Sequence, residues 1–324
     1  MVGLSCKKEH NNTGQTPEKG QYKVTFNVGF SQQTGSFQTN GLKTNSAAST
    51  PATTALSDQA DIIYLIVYDS SGNRIQVIKQ LSSDSGFGFL TDSLNRGTYT
   101  IVMAAGKTGL ILTTGVTYDR YGEITYASSN ILSTDMLTYG ILGDVNMQDT
   151  FYKKFTLTVP GTPSQSISLD RITSRLKIVV EDAIPFNASK LQLSFYAARL
   201  FKVGSGQTAV AWNGDLQLAS IPLAPSDIGT TNYTYTSAPF FGPPPPPPTI
   251  PQFNTVGISF TAPSTASVSS PVIASTTVLN VLYSPNKITV LTGNLFGGAN
   301  SPATNGFHWS ADTSWNSTPT TKLF

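Results

Sequence analysis

The sequence predicts an all-β protein, and three observations carry that prediction. Charged residues make up only 12% of the 324 positions, a supply of Lys and Glu too small to build many surface helices. β-branched and aromatic side chains sit instead among Ser, Thr, Gly, Asn and Pro, the residues that punctuate strands. Several stretches alternate apolar and polar residues at a period of two, led by Tyr22-Lys-Val-Thr-Phe-Asn-Val-Gly-Phe30.

In that first stretch Tyr22, Val24, Phe26, Val28 and Phe30 face one way, and Lys23, Thr25 and Asn27 the other, which is the pattern of a half-buried strand. From Ser31 to Ala60 no period survives, and a long surface loop is expected. Ile62 to Tyr68 is apolar on both faces, as in a strand central to its sheet; Asp69-Ser-Ser-Gly-Asn73 then turns the chain into a second strand, Arg74 to Leu81. A tight turn at Asn95-Arg-Gly97 feeds the strand Thr98 to Ala104. Residues 110 to 150 carry no clear period, and Ile131 to Leu142 fits one short helix. Alternation resumes at Phe151 to Val159.

Pro160-Gly-Thr-Pro163 breaks the chain, and a fresh strand is expected over Ile167 to Val180, so the division between two halves is placed near residue 160. In the second half Lys190 to Tyr196, Gln207 to Trp212, Val256 to Thr261, Thr277 to Tyr283 and Lys287 to Phe296 read as strands. Six consecutive prolines, Pro243 to Pro248, make a stiff polyproline II segment without amide donors, read as a rigid loop rather than a recruitment motif. The expected organisation is a start and tether over 1–20, a first sandwich over 21–160, a second over 161–299 with a Pro-rich loop at 240–252, and a polar tail over 300–324.

Composition and motifs narrow the chemistry. A net charge of +2 gives no basis for nucleic-acid binding, and no run approaches the roughly 18 apolar residues of a membrane helix. Gly106-Lys107-Thr108 matches the end of a phosphate loop, but the first glycine of that motif would fall at Ile101, inside a strand. Asp144-Val-Asn-Met-Gln-Asp149 alternates oxygen ligands like a calcium loop without its glycine or distal glutamate, and reads as a solvated turn. With two histidines near opposite ends, His10 and His308, and no GxSxG, a hydrolytic triad has no basis; no enzyme activity, cofactor or metal is expected. Trp212, Trp309 and Trp315 read as sandwich and tail packing, with glycan stacking by Trp309 and Trp315 as the alternative.

The only cysteine, Cys6, cannot form an internal disulfide. Leu4 and Ser5 before it, with Lys7, Lys8, Glu9 and an Asn/Thr/Gly-rich tether after it, look like the processing point of a bacterial lipoprotein. Only five residues precede it, so the sequence reads as clipped or mis-started ahead of a secretory signal.

Four stretches together resemble the fimbrillin and fimbrial anchor subunits of Bacteroidetes-type (type V) pili: the Cys6-Lys-Lys-Glu9 start, IIYLIVYDSSGNRI, LNRGTYTIVMAAG, and ISLDRITSRLKIVV with NKITVLTGNLFGG at the far end. The resemblance implies two tandem transthyretin-like (Greek-key) β-sandwiches, exported as a lipoprotein acylated (palmitate-type) on Cys6 and carried to the outer surface of the outer membrane. It also implies pairing with other fimbrial subunits by strand exchange, for which Tyr22, Val24, Phe26, Val28 and Phe30 are the groove-filling candidates. Stem subunits of that family are cut by an arginine-specific protease after the first strand, whereas anchors are not. The first arginine here is Arg74, and only Lys43 is basic in the first loop, which favours an anchor or accessory subunit in pilus assembly and adhesion. A glycan-binding surface lipoprotein of a polysaccharide-uptake system is the alternative.

Overall fold

The structure is a computed structural model that describes residues 20–30, 55–114, 116–118, 124–126, 130–139, 147–198, 200–209, 216–242, 255–264, 270–297 and 307–312. In chain order its strands are β1 (Tyr22–Phe30), β2 (Ile62–Tyr68), β3 (Arg74–Leu81), β4 (Phe89–Leu94), β5 (Gly97–Gly106), β6 (Leu110–Thr114), β7 (Val116–Tyr118), β8 (Ile124–Tyr126), β9 (Asp135–Tyr139), β10 (Thr150–Val159) and β11 (Ser164–Arg171). There follow β12 (Thr173–Val180), β13 (Lys190–Tyr196), β14 (Leu200–Lys202), β15 (Gln207–Ala209), β16 (Leu216–Pro222), β17 (Tyr233–Thr236), β18 (Phe240–Phe241), β19 (Val256–Thr261), β20 (Val272–Val278), β21 (Ile288–Gly293) and β22 (His308–Asp312). Among the described residues helix is confined to one turn, α1 (Leu56–Gln59), and a 3-10 turn at Pro225–Asp227. The protein is all-β.

Seven strands run in the order β3-β2-β5-β10-β11-β1-β4. The ladder is long within β3-β2-β5-β10 and within β11-β1-β4, but β10 and β11 meet at only two pairs, Phe151↔Arg171 and Tyr152↔Asp170. The sheet therefore folds over at that seam, and its two parts close on one apolar core. That core takes Val24, Phe26 and Val28 from β1, Ile63, Leu65 and Val67 from β2, Leu90 and Leu94 from β4, Ile101 and Met103 from β5, and Leu157 and Leu169 from β10 and β11. β2 is buried at every position, as a strand apolar on both faces must be. Its other face, Ile62, Tyr64, Ile66 and Tyr68, joins a second core together with β6, β9 and the strands of the C-terminal half.

In that half β17-β12-β21-β22 and β16-β13-β19-β20 form two further sheets around the second core, with β18 also paired to β12. A smaller sheet, β15-β14-β9-β6, lines the outer face of β2, where the Tyr64 hydroxyl donates to Leu110 O at 3.1 Å.

Three readings of the sequence are corrected. The helix expected within 131–142 is instead β9, paired antiparallel to both β6 and β14, with all five residues buried. Burial on both faces overrides a spacing that local pattern alone reads as helical. The single strand expected over Ile167–Val180 is two strands broken at Ile172: β11 pairs with β1, and β12 pairs with β17 and β21. Ser164–Arg171 thus lies past the Pro160 division yet belongs to the sheet of β1. The strand expected over Thr277–Tyr283 ends early, at Val278.

Candidate functional site

β1 occupies an interior place in its sheet. It runs parallel to β11, from Thr25↔Ser164 to Phe30↔Leu169, and antiparallel to β4, from Tyr22↔Leu94 to Asn27↔Phe89. Thr25 N donates to Pro163 O at 2.8 Å, and Val28 N to Gly88 O at 2.9 Å. Val24, Phe26 and Val28 are buried, Tyr22 and Phe30 are half-buried against the same core, and Lys23 and Asn27 face solvent. Phe26 meets Phe155 edge-on with centroids 6.2 Å apart, and Phe30 lies 4.1 Å from Phe151. The five alternating residues singled out by the sequence thus fill one slot between β4 and β11, whose floor is Ile63, Leu65, Ile101, Met103 and Leu157.

The slot has a glycine at one end. Gly88 adopts φ +94°, and a Cβ there would come within 2.6 Å of Leu56 Cδ2, so the tight turn into β4 requires glycine. Its other wall carries a carboxylate. Asp92 sits opposite Val24 and shares the inward face with Leu90 and Leu94. Asp92 Oδ1 accepts from Ser93 N at 2.8 Å, while the buried Oδ2 has no hydrogen-bond partner among the described residues. An inward charge on an edge strand opposes sheet-to-sheet aggregation at that edge. Sequence reasoning missed both Gly88 and Asp92; the Gly86-Phe-Gly88 spacing was the only local sign of the first.

A polar hub stands at the seam where the chain leaves the first sheet. Asp149 lies 3.5 Å from Arg171 and 3.8 Å from Arg175 in ion pairs, and accepts from Thr173 Oγ1 at 3.3 Å. Arg171 also donates to Asn286 Oδ1 at 3.1 Å and stacks over Phe151 at 5.1 Å. Burial pulls its guanidinium down to about 10, against Asp149, which raises it, and with Arg175, which lowers it further. The group remains charged at neutral pH. Asp149, the one carboxylate of the calcium-like string that lies within the described residues, is therefore engaged by arginines.

The phosphate-loop-like string is likewise a structural turn. Lys107 Nζ reaches Asp58 O at 2.8 Å and Asp61 Oδ1 at 3.3 Å, and Thr108 donates to Asp61 Oδ2 through both N and Oγ1 at 3.0 Å. Trp309 lies on β22 opposite Leu291. Cys6, Trp212, Trp315 and Pro243–Pro248 lie outside the described residues. Among the described residues no three His, Cys, Asp or Glu side chains gather as metal ligands, and no helix is long and apolar enough to cross a membrane.

The fold is similar to that of solved bacterial proteins. A crystal structure of a candidate adhesin from Bacteroides ovatus superposes with a TM-score of 0.50 at 9% identity, covering 90% of this chain and 96% of the other. The fimbrial anchor protein Mfa2 from Porphyromonas gingivalis is similar at a TM-score of 0.46 and 13% identity, covering 90% and 97%. A candidate cell adhesion protein from Parabacteroides distasonis gives 0.48 and 10%, covering 94% and 99%. No curated protein sequence matches the chain. The sequence model of the fimbrillin-A associated anchor proteins Mfa1 and Mfa2 matches residues 13–200, more than half of the chain, and the protein belongs to that family.

Proposed function

We propose that the protein is a cell-surface subunit of fimbriae, an anchor or accessory subunit that engages other fimbrial subunits by strand pairing and carries out no chemistry. The observation that supports this reading best is β1 seated in its own slot, bonded on both sides and joined to the core by Val24, Phe26 and Val28. A subunit whose slot is filled in cis does not accept a neighbour's strand there, which suits a terminal position in a fibre. The chain from β1 to β2 carries Lys43 but no arginine, consistent with retention of β1.

In this reading Cys6 bears the acyl chains that hold the subunit at the outer membrane, several chains together binding firmly where one binds weakly. In the same reading the division between the two sandwiches falls at Ile172, where the backbone changes sheets, rather than near residue 160.

Mass spectrometry of the mature protein from its native host tests the proposal. The expected species retains Tyr22–Phe30 and carries an acylated Cys6. A mature form beginning after residue 30 would overturn the anchor reading in favour of a stem subunit.

A further inference from the structure

Among the described residues β3 is the longest strand lying at a sheet edge, with eight residues. Ser82 N donates to Asp61 O at 2.8 Å, continuing the β2–β3 ladder in which Ile62 faces Leu81. By the alternation of an antiparallel ladder, Gln76, Ile78 and Gln80 turn their backbone groups toward β2, and Val77, Lys79 and Leu81 turn theirs outward. Leu81 N is capped by Asp84 Oδ2 at 2.8 Å. No described group takes the outward amides and carbonyls of Val77 and Lys79.

The side chains flanking this open edge are apolar. Val77 and Leu81 are 38% and 41% exposed and share the face of Lys79, whose Nζ lies 5.9 Å from the Tyr64 ring centre, and Ile75, at the register shift, is 48% exposed. β4 has the inward Asp92 and β16 ends in Pro222, devices that β3 lacks. The β2–β3 ladder shifts register once, at Val67/Tyr68, which leaves Ile75 as an extra residue and Gln76 to Leu81 in unbroken pairing.

We infer that the β3 edge pairs with β3 of a second copy of this chain, antiparallel about a two-fold axis at Ile78. A strand pairing with itself must bring its own residues into compatible opposition, and this register does so. Val77 faces the partner's Lys79 and exchanges two hydrogen bonds with it, and the symmetric pair exchanges two more. Ile78, which packs against the first core, faces its own copy. Sliding one way sets Lys79 against the partner's Lys79, a like-charge pair that destabilises a ladder. Sliding the other way leaves Leu81 facing the partner's Asn73. Lys79 thus acts as a register selector. The paired edge alone is smaller than the roughly 1,600 Å² of a stable interface, so the dimer is weak and concentration-dependent.

A covalent trap reads such a dimer. In a Cys6→Ser background, Ile78→Cys places two thiols at a non-hydrogen-bonded cross-strand pair with Cα atoms about 4.5 Å apart, within disulfide reach. Mild oxidation is expected to give covalent dimer at least tenfold faster than for Ser220→Cys on the β16 edge. Val77→Lys in the same background, setting a cation against the partner's Lys79, is expected to slow trapping about tenfold, and Val77→Glu to speed it. Circular dichroism checks that each variant is folded. Should Ile78→Cys not fold, sedimentation of the Val77 variants on the otherwise unchanged chain decides by the same two signs. Equal trapping of Ile78→Cys and Ser220→Cys, or weakening by Lys and Glu alike, would overturn the inference, the latter outcome marking unspecific apolar adhesion.

Discussion

Val24 and Asp92 stand directly opposite each other across β1 and β4, an aliphatic side chain and a carboxylate on the same inward face. Asp92 Oδ2 is buried there without a hydrogen bond among the described residues. A buried acceptor left unsatisfied costs about 1–3 kcal/mol, so the acid is retained at the expense of stability.

Asp92→Val is therefore expected to stabilise the fold by about 1 kcal/mol, part of the gain being offset by the lost Ser93 amide contact. Thermal melts check the gain. Light scattering at high concentration is expected to show more self-association, because the edge loses its inward charge.

Phe26 is wholly buried at the centre of the slot. Phe26→Ala is expected to destabilise the first sandwich by about 3–5 kcal/mol, cavity included, whereas Asn27→Ser on the solvent side of the same strand changes little. Denaturant unfolding of the two variants separates a core strand from a loosely docked one.

Gly88 and Gly29 lie at neighbouring places yet differ in freedom. Gly88 has φ +94°, a backbone conformation that a side chain strains, while Gly29 has no such φ and nothing within 4 Å of a Cβ built on it. Gly88→Ala is expected to cost at least about 1–3 kcal/mol from backbone strain alone, and Gly29→Ala less than about 1 kcal/mol. Differential scanning calorimetry of the pair measures the contrast.

Asp135 is fully buried, accepting from Tyr68 OH at 2.7 Å and from Arg74 Nη1 at 3.2 Å. Burial raises its carboxyl above the ordinary carboxylate range, a shift opposed but not cancelled by Tyr68 and Arg74. A folded-state value above the unfolded one means that the native chain binds the proton first. The contribution of Asp135 to stability therefore grows as pH falls through its folded pKa, is complete below its unfolded pKa, and is lost as pH rises. Asp135→Asn is expected to remove this component from the pH dependence of unfolding, measured from neutral pH down to about 4, near the ordinary carboxylate value. Tyr68→Phe, which takes one donor from the carboxylate, is expected to cost about 1.5–3 kcal/mol.

Much of the fold was legible because local pattern and tertiary role agree. The strict alternation of Tyr22–Phe30 marks a strand with one wet face, and the unbroken apolar run Ile62–Tyr68 marks one packed on both faces. The slot residues followed from the same alternation. The break at Ile172 was not legible, because Leu169, Arg171 and Thr173 continue the alternating inward places across it. Asp149 and Asn286, distant in sequence, partner the buried Arg171. β9 was hidden for a related reason: Met136 to Tyr139 find partners in β6 and β14 that no local window contains. Asp92 looked like one more polar residue in a turn-rich stretch, and only the strand register turns it inward.

The parallel pairing of β1 with β11 also sets a timetable for folding. Phe30 cannot meet Leu169 until the whole intervening chain has been synthesised. Through that interval one flank of β1 stays open, its aromatic row wet and adhesive. The arrival of residue 169 is the moment at which that flank can close.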